Sequence, residues 1–287
     1  MIGRAAMILL AGWSGLAGGD PLLEEVTLYA SFDGAVRADR GGGRLEPGTR
    51  FNHETEKGRF VFQDGFPAEV FRIARGLGVS GGALEAVDVL PRNGRLYFPA
   101  AGNLAYRKGG WGGTVSFWLK TDPNTMLKTR FCDPVQITEK GANNGGLWVD
   151  FPDTMPRDFR LGAFPAERPG RGLVAESEPD APLVVVKNVG FRADRWHHVA
   201  FSWRNFDTGR ADAEAALYID GEFQGAIKDR EIAMDWNIER TGIYFAVAYI
   251  GLMDELAVLR RPLSAEEIRR LSREPGRLAG LKNPAKD

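Results

Sequence analysis

Carboxylates at alternate positions on an extended strand share a face, and two of them about 5 Å apart make the nucleophile and general acid of a retaining glycosidase. Pairs with that spacing in this 287-residue chain include Glu176 with Glu178, Asp212 with Glu214, and Asp229 with Glu231, the last followed by Asp235. All three stand in polar, loop-like surroundings, where solvated surface charge is the expected role. His197 and His198 look like a metal pair, but neighbours on a strand point to opposite faces and cannot chelate one ion. Cys132 is the single cysteine, so no internal disulfide forms, and it reads as a small buried hydrophobe. No Walker loop or Cys/His zinc string is found. These patterns argue for binding over catalysis.

Sugar binding asks for an exposed aromatic ring to stack on, with polar groups beside it. Trp148 and Asp150 share the face opposite Leu147, Val149 and Phe151 and form one candidate pair. Outer-face packing beneath a loop accounts for Trp148 equally well. Trp236, between Asp235 and Asn237 in a loop-like stretch, is expected to stand exposed and forms the second candidate with Asn237.

The elements that must position these residues are short strands. Gly (36) and Pro (16) are spread along the whole chain, and 44% of the residues are hydrophobic, a composition that suits many strands joined by turns. Alternation is clearest over 26–32, 114–120 and 196–203. The first places Asp33-Gly34 at its end; the second directs Val115, Phe117 and Leu119 to one face and the third Val199, Phe201 and Trp203. A hairpin is expected across 134–151, with 140–145 as its loop, and another turns at Asp220-Gly221. The single expected helix starts at Ser264, with Glu267 completing a capping box and Leu263 placed to contact Ile268, and it ends at Pro275-Gly276.

Lys plus Arg (37) against Asp plus Glu (38) give a net charge of −1, without the cationic surplus that nucleic acid requires. Residues 1–19 combine a basic start, an apolar stretch and small residues, the layout of a secretory signal peptide. Export follows as an expectation: a secreted, periplasmic or cell-envelope protein. No later segment is apolar enough to span a membrane as a helix. Residues 20–274 read as one domain and 275–287 as a polar tail.

Five stretches, in register, resemble the LamG-like jelly roll of the concanavalin A-like lectin/glucanase superfamily, which includes laminin G and pentraxin-like domains. They are 28–34 (LYASFDG), 113–120 (GTVSFWLK), 196–203 (WHHVAFSW), 217–222 (LYIDGE) and 251–264 (GLMDELAVLRRPLS). The resemblance implies an all-β fold, a two-sheet antiparallel jelly-roll sandwich, here with a short C-terminal helix. It makes Trp118, Trp196 and Trp203 packing aromatics. It also implies a structural calcium, with Asp33 and Asp254 as ligands and Asp39 adding a third. The Glu-x-Asp-x-x-Glu string of glucanases with this fold is absent, so the chain is expected not to be an enzyme. The expected function is a non-catalytic exported module that binds carbohydrate or glycoprotein. Two alternatives remain open: a structural or adhesive envelope protein making protein–protein contacts through an apolar sheet face, and a glycoside hydrolase, which would need two carboxylates converging in a cleft.

Overall fold

Val115, Phe117 and Leu119 are fully buried on one side of their strand, and Ser116 and Trp118 lie on the other, as alternation requires. The structure, a computed structural model, describes residues 20–281 apart from 57 and 171. The leader expected over 1–19 and the last part of the expected tail, 282–287, lie outside the described residues.

The strands are β1 (Val26–Ala30), β2 (Arg40–Gly41), β3 (Gly48–Asn52), β4 (Phe60–Asp64), β5 (Phe71–Ala74), β6 (Ala83–Ala86), β7 (Arg95–Pro99) and β8 (Trp111–Lys120). They continue as β9 (Cys132–Gly141), β10 (Asn144–Phe151), β11 (Phe159–Phe164), β12 (Leu183–Val186) and β13 (His197–Phe206). The last four are β14 (Ala213–Ile219), β15 (Glu222–Arg230), β16 (Gly242–Val247) and β17 (Gly251–Leu259). Helix α1 (Pro21–Glu24) precedes them and α2 (Ala265–Arg273) follows.

They form two sheets, one ordered β15-β14-β13-β8-β17-β1-β2, with β6 on β17 and β5 on β6, the other β12-β11-β10-β9-β16-β7-β3-β4. The main core lies between them, where Leu28, Phe117, Val258 and Phe201 of the first sheet face Val135, Ile137, Val149 and Phe245 of the second. This is the antiparallel jelly-roll sandwich that the sequence implies. Among the described residues no helix is long and apolar enough to cross a membrane.

Local chemistry explains the edges. Asp220 (φ 52°) and Gly221 (φ 82°) both take the left-handed conformation of a two-residue hairpin turn. A Cβ on Gly221 would lie 2.4 Å from the Ser272 hydroxyl, so the same glycine admits α2. At the start of α2 the Glu267 N–H donates to Ser264 Oγ (3.3 Å) and the Ser264 N–H to Glu267 Oε2 (2.9 Å), the expected capping box. Ile268 and Leu271 of α2 pack on the outer face of the first sheet together with Tyr29, Ala200, Ala216, Tyr218 and Ala257. Leu278 and Leu281 join that cluster, so the stretch read as a polar tail is apolar and anchored as far as 281. The β9–β10 connection is tighter than the expected loop: the strands extend to Gly141 and resume at Asn144.

Candidate functional site

Two lines of side chains cross the outer face of the second sheet. Direct cross-strand partners put Gly48, Tyr97, Tyr244, Gln136, Trp148 and Gly162 in one row, from β3 to β11. A Cβ on Gly162 would sit 2.3 Å from the Trp148 ring, and one on Gly48 would sit 2.9 Å from the Tyr97 ring. The terminal glycines therefore leave room for the rings that lie over them. Two residues further along the strands the row turns charged: Arg50 opposes Arg95 and Asp150 opposes Arg160.

A bulge brings a second acid into this charged row. Val149 pairs with Val135, but Phe151 pairs with Cys132, so Asp133 and Pro134 together oppose Asp150. Asp133 thereby reaches the face of Asp150 while Cys132 stays in the core. Opposite Asp133 on β16 stands Val247, flanked by Ala246 (φ 50°) and Ala248 (φ 51°). This is sparsely populated backbone for residues with a Cβ, and such strain gathers at functional sites.

The charged row floors a cleft of about 380 Å³, whose lining includes Arg95, Arg130, Phe131, Asp133, Asp150 and Glu176. Arg160 grips Asp150 with two hydrogen bonds, Nε to Oδ1 (2.8 Å) and Nη2 to Oδ2 (2.5 Å), and reaches Glu176 Oε2 at 2.9 Å. Its guanidinium lies 5.3 Å from the Trp148 ring and 5.6 Å from that of Phe131. The Trp148 indole N–H donates to the Ala142 carbonyl (2.9 Å). Arg157 is fully buried, and its guanidinium donates to the carbonyls of Lys128 (2.6 Å), Arg130 (3.0 Å) and Pro152 (2.5 Å). It thus pins the loop that carries Arg130 and Phe131. Burial raises the Asp150 carboxyl's pKa against the pull of Arg160. Burial and the charge of Asp150 raise that of Asp133, with Arg95 opposing.

A neighbouring hollow of about 540 Å³ on the same face is aromatic, with Phe60, Phe62, Tyr97 and Tyr244 among its lining. Arg50 lies 4.1 Å from the Phe60 ring and 4.6 Å from that of Tyr244, and donates to the Tyr244 hydroxyl (3.0 Å).

The candidate residues read from the sequence fall in three places. Trp148 and Asp150 line the cleft, but Trp148 is only 1% exposed, roofed by Arg160 and packed on Phe164. The exposed ring is Phe131, at 48%. Trp236, expected to stand out from a loop, is buried at 4% exposure. Its backbone N–H donates to the Tyr106 hydroxyl and its indole N–H to the Gly145 carbonyl (2.7 Å), and its ring sits 5.5 Å from those of Tyr106 and Trp111. A polar loop sequence does not reveal that an Asp207 carboxylate, accepting from the N–H groups of Met234 and Asp235, folds the segment inward. Asn237 caps the turn Ile238–Arg240 by accepting from the Glu239 N–H (3.2 Å).

Asp33, Asp39 and Asp254 hold loops. Asp254 Oδ2 accepts from the N–H groups of Val79 (2.8 Å) and Ser80 (3.2 Å), and Oδ1 from that of Glu255 (2.8 Å). Asp33 Oδ1 accepts from the Gly82 N–H (2.8 Å), and Asp39 Oδ2 from that of Ser31 (2.8 Å). Burial, then the charge of Glu255, push the Asp254 carboxyl up to about 8, against those amide donors. Among the described residues no three His, Cys, Asp or Glu side chains are placed to hold a metal ion. As they stand, these carboxylates meet the amide donors of neighbouring loops.

The histidines point apart. His197 Nδ1 meets Asp220 Oδ2 (2.9 Å), and His198 Nε2 meets Ser116 Oγ (2.9 Å). Burial lowers the His198 pKa to about 4, so it is neutral. Its Nδ1 has no partner among the described residues, so no carboxylate orients the ring toward Ser116 as a nucleophile would need.

Local sequence patterns do not single out Asp133, Arg95, Arg160 or Phe131, and they make Glu176 a solvated surface charge. Pro134 was the available signal, since a proline within a strand marks an edge or a bulge.

A laminin G-type family model, described as the concanavalin A-like lectin/glucanases superfamily, matches residues 93–269, well over half of the chain. Among solved structures, domain 4 of AbnA, a GH43 extracellular arabinanase from Geobacillus stearothermophilus in complex with arabinotriose, is similar at TM-score 0.51 and 15% identity, covering 86% of this chain and 99% of that one. The binding domain of botulinum neurotoxin DC in complex with rat synaptotagmin II aligns at TM-score 0.53 and 11% identity, over 88% of this chain and 52% of that one. The binding domain of Paraclostridial Mosquitocidal Protein 1 aligns at TM-score 0.50 and 12% identity, over 88% and 52%. The chain thus spans about half the length of those two toxin domains. No curated protein matches it in sequence. At these identities the structural likenesses establish the shared fold alone.

Proposed function

Because the chain belongs to the concanavalin A-like lectin/glucanases superfamily, we propose that it is a non-catalytic binding module that holds a glycan in the cleft beside Phe131. The observation that carries this reading is an exposed aromatic ring at the rim of a cleft whose floor is a fixed array of charged hydrogen-bonding groups. A sugar ring presents an apolar face for Phe131 and a girdle of hydroxyls for Asn93, Arg95, Arg130 and Asp133. The cleft volume falls within the range of small-molecule sites, about 300–1,000 Å³. The arabinotriose in the similar arabinanase domain supports a glycan as ligand.

One observation favours hydrolysis as a second reading: Asp133 and Asp150 are two buried carboxyls with raised pKa values in one cleft. Against it, Arg160 binds both oxygens of Asp150 and offsets its charge, which weakens it as a nucleophile or base. The reading is tested by titrating a glycan panel against the wild type and Phe131→Ala. Loss of the stacking ring is expected to weaken binding about tenfold, near 1.4 kcal/mol, with an unchanged melting temperature. Equal binding by the two proteins would remove the cleft from the proposal, and release of new reducing ends would favour the hydrolase.

A further inference from the structure

We propose that the cleft is built for an acidic sugar of the uronate class, with the sugar carboxylate held between Arg95 and Arg130. The inference rests on the glycan reading above and names the class of sugar.

The three arginines at the cleft differ in their partners. Arg160 is engaged by Asp150 and Glu176. Arg95 and Arg130 have no carboxylate partner among the described residues. Arg95 donates through Nη1 to the amide oxygen of Gln136, and Arg130 reaches only Asn93 Oδ1, at 3.4 Å. The Arg95 Nε–H and a Gln136 Nε2 donor are buried with no acceptor among the described residues. Buried donors without partners are costly, and the usual remedy is an oxygen supplied by a ligand or water. Guanidinium groups suit a planar carboxylate, since their forked N–H groups match its two oxygens.

One cation and the loop that carries the other are held in advance. Gln136 fixes Arg95 from the neighbouring row, and Arg157 fixes the backbone of Arg130. Little side-chain and loop freedom is then left to lose on binding. Phe131, beside Arg130, supplies the ring that distinguishes a sugar acid from a bare carboxylate.

The three acids of the cleft are met by three cations: Arg160 is shared by Asp150 and Glu176, and Arg95 and Arg130 line the cleft with Asp133. Asp133 is faced by Asp150 on β10, Arg160 on β11, Glu176 beyond β11 and Arg95 on β7, while β16 offers only the uncharged Val247 and Ala248. Burial and the two neighbouring carboxylates favour its protonated form, and the two arginines oppose it. A ligand carboxylate adds negative charge and shifts Asp133 further toward protonation, where it donates a hydrogen bond. Binding should therefore take up a proton and strengthen as pH falls.

The test is calorimetric titration of the full chain with trimers of galacturonate, glucuronate and mannuronate, each beside its carboxyl-reduced counterpart, at pH 8.0 and 5.5. At least one uronate trimer is expected to bind tenfold or more tighter than its reduced form, and several-fold tighter at pH 5.5 than at 8.0. Arg95→Gln and the exposed Arg130→Gln should each abolish that preference, bringing uronate affinity down to that of the reduced trimer measured on the same variant. Asp133→Asn should remove the difference in uronate affinity between pH 5.5 and 8.0. A reduced trimer that binds as well as its uronate, or a preference that survives in both arginine variants, would overturn the acidic class and leave the glycan reading standing. Failure of every trimer, together with no glycan distinguishing Phe131→Ala from wild type, would remove both. Melting curves of each variant verify the fold, and Arg130→Gln, at the surface, keeps the test decisive if Arg95→Gln is unstable.

Discussion

On the outer face of the first sheet the paired row reads Tyr29, Ala257, Ser116, Ala200, Tyr218; on the second it reads Tyr97, Tyr244, Gln136, Trp148. The first has small residues at its centre and large ones at its ends, which makes a trough. Helix α2 lies over this face with Ile268 and Leu271, and α1 and the C-terminal turn complete the cover. The second has large polar aromatics at its centre and glycines at its ends. Such a ridge gives a helix no seat, and only loops border it, leaving two clefts. The same pleated framework thus yields core on one side and a site on the other, and the size of the central side chains decides which.

The most severe way to break this contrast is to remove the cation that holds the open face together. Arg160→Gln leaves Asp150 buried without its partner, and at pH 8 is expected to cost about 3–5 kcal/mol in urea unfolding. The sign with pH follows from Asp150, whose carboxyl is already raised by burial. A raised folded pKa means that stability falls as pH rises through it, so the loss should shrink when unfolding is repeated near pH 5. A loss independent of pH would mean that Arg160 matters through packing alone.

On the covered face the corresponding change is Ile268→Ala. It is expected to cost about 2–4 kcal/mol through lost burial and a cavity, with glycan affinity unchanged because the cleft lies on the opposite sheet. A coupled loss of binding would show that the two faces are not independent.

The smallest effect is expected at Asp33 and Asp254. Their oxygens accept N–H groups from residues 79–82, so the melting temperature should not differ between EDTA and millimolar calcium. A calcium-dependent rise that is lost in Asp254→Ala would place a cation there after all.

The elements governed by near neighbours were legible in the sequence. The alternation at Val115, Phe117 and Leu119, the Asp220-Gly221 turn and the Ser264–Glu267 capping box each depend on residues a few positions apart, and each stands as expected. Trp148 and Asp150 were visible as an outward pair for the same reason, though not the Arg160 that roofs one and binds the other. Trp236 shows the converse, because nothing adjacent to it announces Tyr106, Trp111 or Gly145.

The sequence alone therefore determined the clearly alternating strands, their inward faces and the family resemblance that arranges them in two sheets, since side-chain alternation and turn conformations are set within a few residues. Only the tertiary structure decided which face stays open and what lines it. Arg95, Asp133, Asp150 and Glu176 are brought together by β7, β9, β10 and the loop beyond β11. The raised pKa values of Asp133 and Asp150 come from burial and from charges distant in the chain, neither of which a local pattern contains.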